Sequence, residues 1–174
     1  MNAAALLIPL LLIRFGLMAA RDRGALRRAA HLAPAHGRAE RIACGVYQLA
    51  SAGALLAPFF LTVKRPLALS GAAGLALYLS GLTLCALAVV QFAAPGESDM
   101  SAKGVYRLSR NPMYIAYFLC FLGMALLSHS WIMAGIAAAL QISGHWVILA
   151  EERWCLTRFG NAYARYMQEV PRYL

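Results

Sequence analysis

PMYIAYFLCFLGMALLSHSWIMAGIAAALQISGHWVILAEER, residues 112–153, is two apolar runs parted by three polar residues and closed by a pair of acids. Pro112 to Leu127 and Trp131 to Ala150 approach the roughly 20 residues needed to cross a ~30 Å hydrocarbon layer, the first being marginally short. With only Ser128, His129 and Ser130 between them, the two runs must pack as a tight antiparallel hairpin. Such a hairpin returns Asn111 and Glu151 to the same membrane face.

Toward the amino terminus lie three further apolar stretches, Ala3 to Ala20, Ile42 to Val63 and Leu67 to Ala94. Hydrophobic residues make up 61% of the 174 and charged residues 13%, far from the balance of a soluble chain. The expectation is an all-α polytopic membrane protein with five transmembrane helices and a single domain, 1–174. Residues 1–90 read as scaffold helices, and 91–174 as a helical hairpin with its flanking loop and an interfacial carboxyl-terminal helix. The first stretch holds Arg14, lacks a basic start and precedes four more apolar segments, so it reads as a retained helix rather than a secretory signal.

Of the sixteen Lys and Arg, six fall in Arg21 to Arg41, three in Lys103 to Arg110 and four after the last run. The two alternate loops hold two and none. The positive-inside rule then predicts a cell-membrane protein of the bacterial inner-membrane kind, with its amino terminus outside and its carboxyl terminus cytoplasmic. The net charge of +9 sits beside membrane segments with little aromatic interleaving, which favours anionic headgroups and argues against nucleic acid. Cys44, Cys85, Cys120 and Cys155 lack metal or disulfide spacing, and His31 and His36 read as solvated loop residues, so no metal is expected.

Gly71, Gly74 and Gly81 in the third run are the small residues that let membrane helices approach closely. Pro58 is expected to kink the second helix, and Arg14, near the inner end of its span, to snorkel toward the interface. After the hairpin, Trp154, Leu156, Phe159, Tyr163, Tyr166 and Met167 recur at helical spacing among arginines, the pattern of an interfacial helix broken at Gly160 and ended by Pro171. Pro112 suits the first turn of a helix and Asn111 its N-cap. Glu151 and Glu152 oppose the macrodipole at the end of theirs, which stability alone would not select.

The segments G-V-Y-x-x-x-R-N-P-M-Y, Gly104 to Tyr114, and E-E-R-x-x-L-x-x-R-F-G-x-x-Y-x-x-Y-x-x-x-V-P-R, Glu151 to Arg172, with an apolar hairpin between them, resemble the isoprenylcysteine carboxyl methyltransferase family and its phospholipid methyltransferase relatives. The resemblance covers about Gln91 to the carboxyl terminus. It implies a membrane enzyme that moves the methyl group of S-adenosylmethionine (SAM) onto a lipophilic acceptor entering from the bilayer, with membrane lipids as its surroundings. The implied cofactor contacts are Gln91, Ser98, Asp99, Met100, Ser101, Tyr106, Arg110, Asn111, Pro112, Met113, Tyr114 and Glu151. Two positions depart from the pattern: Asn111 stands where many relatives have His, and Val147 where many have an Arg associated with an acceptor carboxylate.

Physical chemistry fits that implication. Glu151 can accept from the ribose diol or amino group, tyrosine faces can meet adenine or the sulfonium for about 0.5–2 kcal/mol, and helix-start N–H groups suit a carboxylate. Methyl transfer from an activated donor chiefly needs in-line approach and desolvation. Where an acceptor must lose a proton, His145 and then Glu152 are the expected bases. Two other classes share features of this sequence: an NAD(P)H-dependent sterol reductase type of enzyme, which is longer, and a non-enzymatic lipid-binding membrane protein.

Overall fold

A computed structural model describes residues 1–22, 34–35, 37–64, 69–93 and 102–173. The expected cofactor loop Ser98 to Ser101 and both loop histidines, His31 and His36, lie outside these residues. Among the described residues the chain is helical, apart from a single bridge between Asn2 and Thr62. We label the helices α1, Ala3–Arg21; α2, Arg38–Leu56; α3, Leu69–Phe92; α4, Pro112–Ser128; α5, Trp131–Phe159; and α6, Asn161–Glu169.

The five apolar stretches all form helices, but four of them, not five, are long and apolar enough to cross a membrane. The 17 residues of α4 rise about 26 Å, short of a ~30 Å layer. Conversely, the 29 residues of α5 rise about 44 Å, so its last turns continue beyond the apolar run. Helical geometry therefore passes straight through Glu151 and Glu152, where composition alone ends the span. Gly160, with φ 54°, breaks the chain between α5 and α6.

Pro58 does not kink α2. It sits in the first turn of a short 3-10 segment, Ala57–Phe60, that terminates the helix and leads into extended Leu61. There the Ala3 amide donates to the Leu61 carbonyl at 2.9 Å and Val63 to Met1 at 2.8 Å, pinning the start of α1 to the end of α2.

Small residues bring α3 and α4 together. A Cβ on Gly81 would lie 2.7 Å from the Cys120 amide nitrogen, and one on Gly123 would lie 2.6 Å from that of Tyr78. The hairpin α4–α5 turns on His129 in the left-handed region, and the Ser130 hydroxyl accepts from the Met133 amide at 3.2 Å to cap α5. Leu49, Phe60, Trp131 and Ile132 remain exposed on the outside, as lipid-facing side chains do.

Because the α3–α4 contact is backbone against backbone, neither side can yield to a larger residue. Gly81→Val should cost about 1–3 kcal/mol through overpacking. Thermal unfolding in detergent should show a midpoint several degrees lower, whereas Gly45→Ala, with open space at its Cβ position, should not shift it.

Candidate functional site

The polar residues at the hairpin mouth divide between two faces of α5. Positions 144, 148 and 151 recur at i, i+4 and i+7, and this stripe looks toward α2 and α4. A Cβ on Gly144 would meet the Tyr47 and Tyr114 rings at 3.4 and 3.5 Å. Further along the stripe the Tyr114 hydroxyl donates to Glu151 Oε1 at 2.9 Å. Among the described residues nothing donates to the other Glu151 oxygen. The Tyr47 and Tyr114 rings are tilted against each other with centroids 6.0 Å apart.

Positions 145 and 152 form the neighbouring stripe, rotated about 100°, and face the carboxyl-terminal tail. Glu152 is only 4% exposed. Arg172 holds it with Nη2 at 2.7 Å and Nε at 3.1 Å to both oxygens. Arg110 Nη1 lies 3.1 Å from its Oε1 as an ion pair rather than an aligned hydrogen bond. The Nε of Arg110 is buried and meets no acceptor among the described residues.

The tail is fixed at several further points. The Arg110 amide donates to the Pro171 carbonyl at 3.0 Å, while the Ser109 hydroxyl and the Asn111 side-chain amide both donate to the Arg172 carbonyl at 3.2 Å. Asn111 occupies the N-cap position of α4 without capping it, because its amide is turned to the tail. Pro112 is fully buried behind it at the first helical position.

Neither expected base faces Glu151. Glu152 is a buried counter-ion for two guanidinium groups. His145 Nδ1 lies 3.0 Å from the Tyr173 hydroxyl. Burial raises the Tyr173 phenol above its ordinary range, so this hydroxyl keeps its proton. Both residues therefore anchor the tail in this structure.

Gln91 and Tyr106 also have structural duties. Gln91 Oε1 accepts from the Val105 amide at 2.8 Å, in the crevice beside Gly104, whose φ of 57° and close approach to the Gln91 side chain exclude any Cβ. Tyr106 is 7% exposed, and its carbonyl accepts from the Tyr166 hydroxyl at 2.6 Å. Burial pushes the Tyr166 phenol up to about 12, so it remains a donor at neutral pH.

A cavity of about 240 Å³ lies between α1, α2, α4 and α5, and Tyr114, the partner of Glu151, is among its lining residues. Arg14, Tyr47, Ser51 and Gln141 give it polar walls, and Leu10, Leu55, Phe118 and Phe121 give it apolar ones. Arg14 extends toward the hairpin mouth. Its Nη1 lies 3.6 Å from the Met18 sulfur and 3.9 Å from that of Met113, with the guanidinium 5.8 Å from the Tyr117 ring centre. Sequence reasoning passed over Tyr47 and Ser109 altogether. Their contacts join residues distant in sequence, and neither side chain carries a local motif.

An all-helical bundle with four helices long and apolar enough to cross a membrane, and a polar constellation at one hairpin mouth, is the architecture of a polytopic membrane protein. The family model for phospholipid methyltransferase matches residues 72–162, just over half the chain, and the protein belongs to that family of membrane methyltransferases. No curated protein and no solved structure matches the chain. Among the described residues no group of His, Cys, Asp or Glu side chains is assembled to hold a metal ion.

Removing the Glu152 charge strands two guanidiniums in a buried site. Glu152→Leu should destabilise the protein by about 3–5 kcal/mol. It should also free the tail, so that trypsin cleaves after Arg172 faster than in wild type, as read by intact mass.

Proposed function

We propose that this membrane methyltransferase uses SAM and methylates a lipophilic acceptor that enters sideways from the bilayer. The observation that carries the proposal is the Glu151–Tyr114 pair, with one carboxylate oxygen uncommitted, whose Tyr114 also lines a cavity with largely apolar walls. SAM supplies the activated methyl group on its sulfonium.

The residues present fit such a donor. The open Glu151 oxygen accepts from a ribose diol or an amino group, and charge-assisted hydrogen bonds of this kind are worth about 1.5–3 kcal/mol. Arg110 Nε, buried without an acceptor, offers a donor for a carboxylate. The Tyr114 and Tyr47 faces provide the aromatic contacts that an adenine ring or a cation takes. Asn111, held by the tail, and Met113 complete the wall. The loop Ser98 to Ser101 is proposed to close the donor side.

These groups bind and orient the reactants and exclude water. They place the acceptor atom in line and leave it desolvated, the two conditions that matter most for a transfer whose leaving group is already activated. An acceptor with a free lone pair or a negative charge needs no base, which suits a site where His145 and Glu152 are engaged elsewhere. The positive-inside pattern puts this mouth on the cytoplasmic side, where SAM is made.

Calorimetry on the purified protein in nanodiscs tests the donor. Glu151→Gln should weaken SAM binding about tenfold to a hundredfold, and NADPH should not bind. Unchanged SAM affinity in both Glu151→Gln and Tyr114→Ala, or binding of NADPH in place of SAM, would overturn the proposal. With labelled SAM and a total membrane-lipid extract, label should enter the lipid phase, and acceptors stripped of their apolar tail should react far more slowly.

A further inference from the structure

Arg110 is enclosed. Only 7% of its side chain is exposed, and its Nε and Nη1 are buried without a hydrogen bond among the described residues. Nη1 has the Glu152 charge 3.1 Å away, whereas Nε has no acceptor among these residues. Buried donors are nearly always paired, so an exception marks a place where a partner is missing. While its cover stays in place, no ligand atom meets this donor.

The outer part of that cover is the end of the chain. Val170 roots it: this residue is buried, packs with Tyr163 and Tyr166, and donates its amide to the Tyr166 carbonyl at 3.0 Å. Beyond Val170, Pro171 is exposed and Arg172 and Tyr173 are half-buried. Pro171 and Arg172 offer their carbonyls to Ser109, Arg110 and Asn111, and the Arg172 guanidinium sits on the same carboxylate as Arg110. At the tip, the Tyr173 hydroxyl meets His145 Nδ1 at 3.0 Å. Water replaces polar contacts of this kind at little net cost, whereas α4, α5 and α6 are held by buried apolar side chains. The tail is thus the element over Arg110 that opens most readily.

Charge favours an opening followed by a return. With the tail down, two guanidiniums face one carboxylate. Lifting Arg172 leaves Arg110 and Glu152 as a pair, one charge against one. A second carboxylate arriving beside Arg110 then balances the cluster when Arg172 comes back, two against two.

We infer that Pro171 to Tyr173 form a strap, latched by Tyr173 on His145, that lifts to admit the carboxylate of the methyl donor to Arg110 and then closes over it. This rests on the SAM reading above and adds an order of events to it. Tyr173 and His145 hold neither reactant. They set how often the site opens.

The test follows SAM association by tryptophan fluorescence in stopped flow, with the full chain in phosphatidylcholine nanodiscs. In wild type the observed rate should level off as SAM is raised, because entry waits on a minor open state. Tyr173→Phe, which keeps the ring and removes the latch hydroxyl, should raise that plateau at least fivefold and move the SAM Kd less than threefold. A His145→Cys/Tyr173→Cys variant, joined by a short bis-thiosulfonate, should take up SAM at least tenfold more slowly until reductant cleaves the bridge. Wild type treated alike controls for its own four cysteines. Saturating SAM should also slow tryptic cleavage after Arg172 severalfold.

A wild-type rate that climbs linearly without a plateau, uptake by the bridged variant at the unbridged rate, or cleavage that SAM leaves unchanged would each overturn the inference. The wild-type curve decides even where a variant fails to fold. Should wild type bind no SAM, the donor reading falls, and trypsin alone then judges the strap: equal cleavage of wild type and Tyr173→Phe overturns it.

Discussion

A carboxylate with almost no contact with water, set between two guanidinium groups, fixes the working end of this protein. Glu152 comes from late in α5, Arg110 from the approach to α4, and Arg172 from the tail. Each charge alone would be costly at such a site. Together they form a cluster that satisfies itself only when the hairpin is closed and the tail lies across its mouth. The cluster is therefore more a specification of geometry than a reserve of stability, since an apolar trio of the same shape would cost nothing in desolvation.

The two adjacent acids illustrate how a helix separates duties. Successive residues are turned by about 100°, so Glu151 and Glu152 cannot address the same partner. One is surrounded by cations and locked. The other faces tyrosines and retains an open oxygen. Two glutamates in sequence look like a redundant pair, but the helix makes one the centre of a charge cluster and leaves the other a tyrosine partner with an open oxygen. The same rotation carries His145 to the side of Glu152, where Tyr173 meets it.

Much of the fold was legible because lipid imposes simple patterns. All five apolar runs became helices, the three-residue turn became a hairpin, and the third-run glycines Gly74 and Gly81 became close contacts. What composition missed was continuity and direction. Glu151 and Glu152 looked like the end of a span, whereas α5 runs on to Phe159, because Arg110, Arg172 and Tyr114 compensate the acids from elsewhere in the chain. Pro58 looked like a kink and is a terminus, since the following backbone has a pairing partner near Met1. The site was legible as far as the two motifs reached, and Tyr47 lay beyond them.

Packing also joins the first helix to the mouth of the hairpin. Met113 belongs to the motif before the hairpin, yet its sulfur is a neighbour of Arg14, 99 residues earlier in the chain. Helix α1 thus closes the cavity opposite Tyr114, and Arg14 is the one charged side chain among the described residues of its wall.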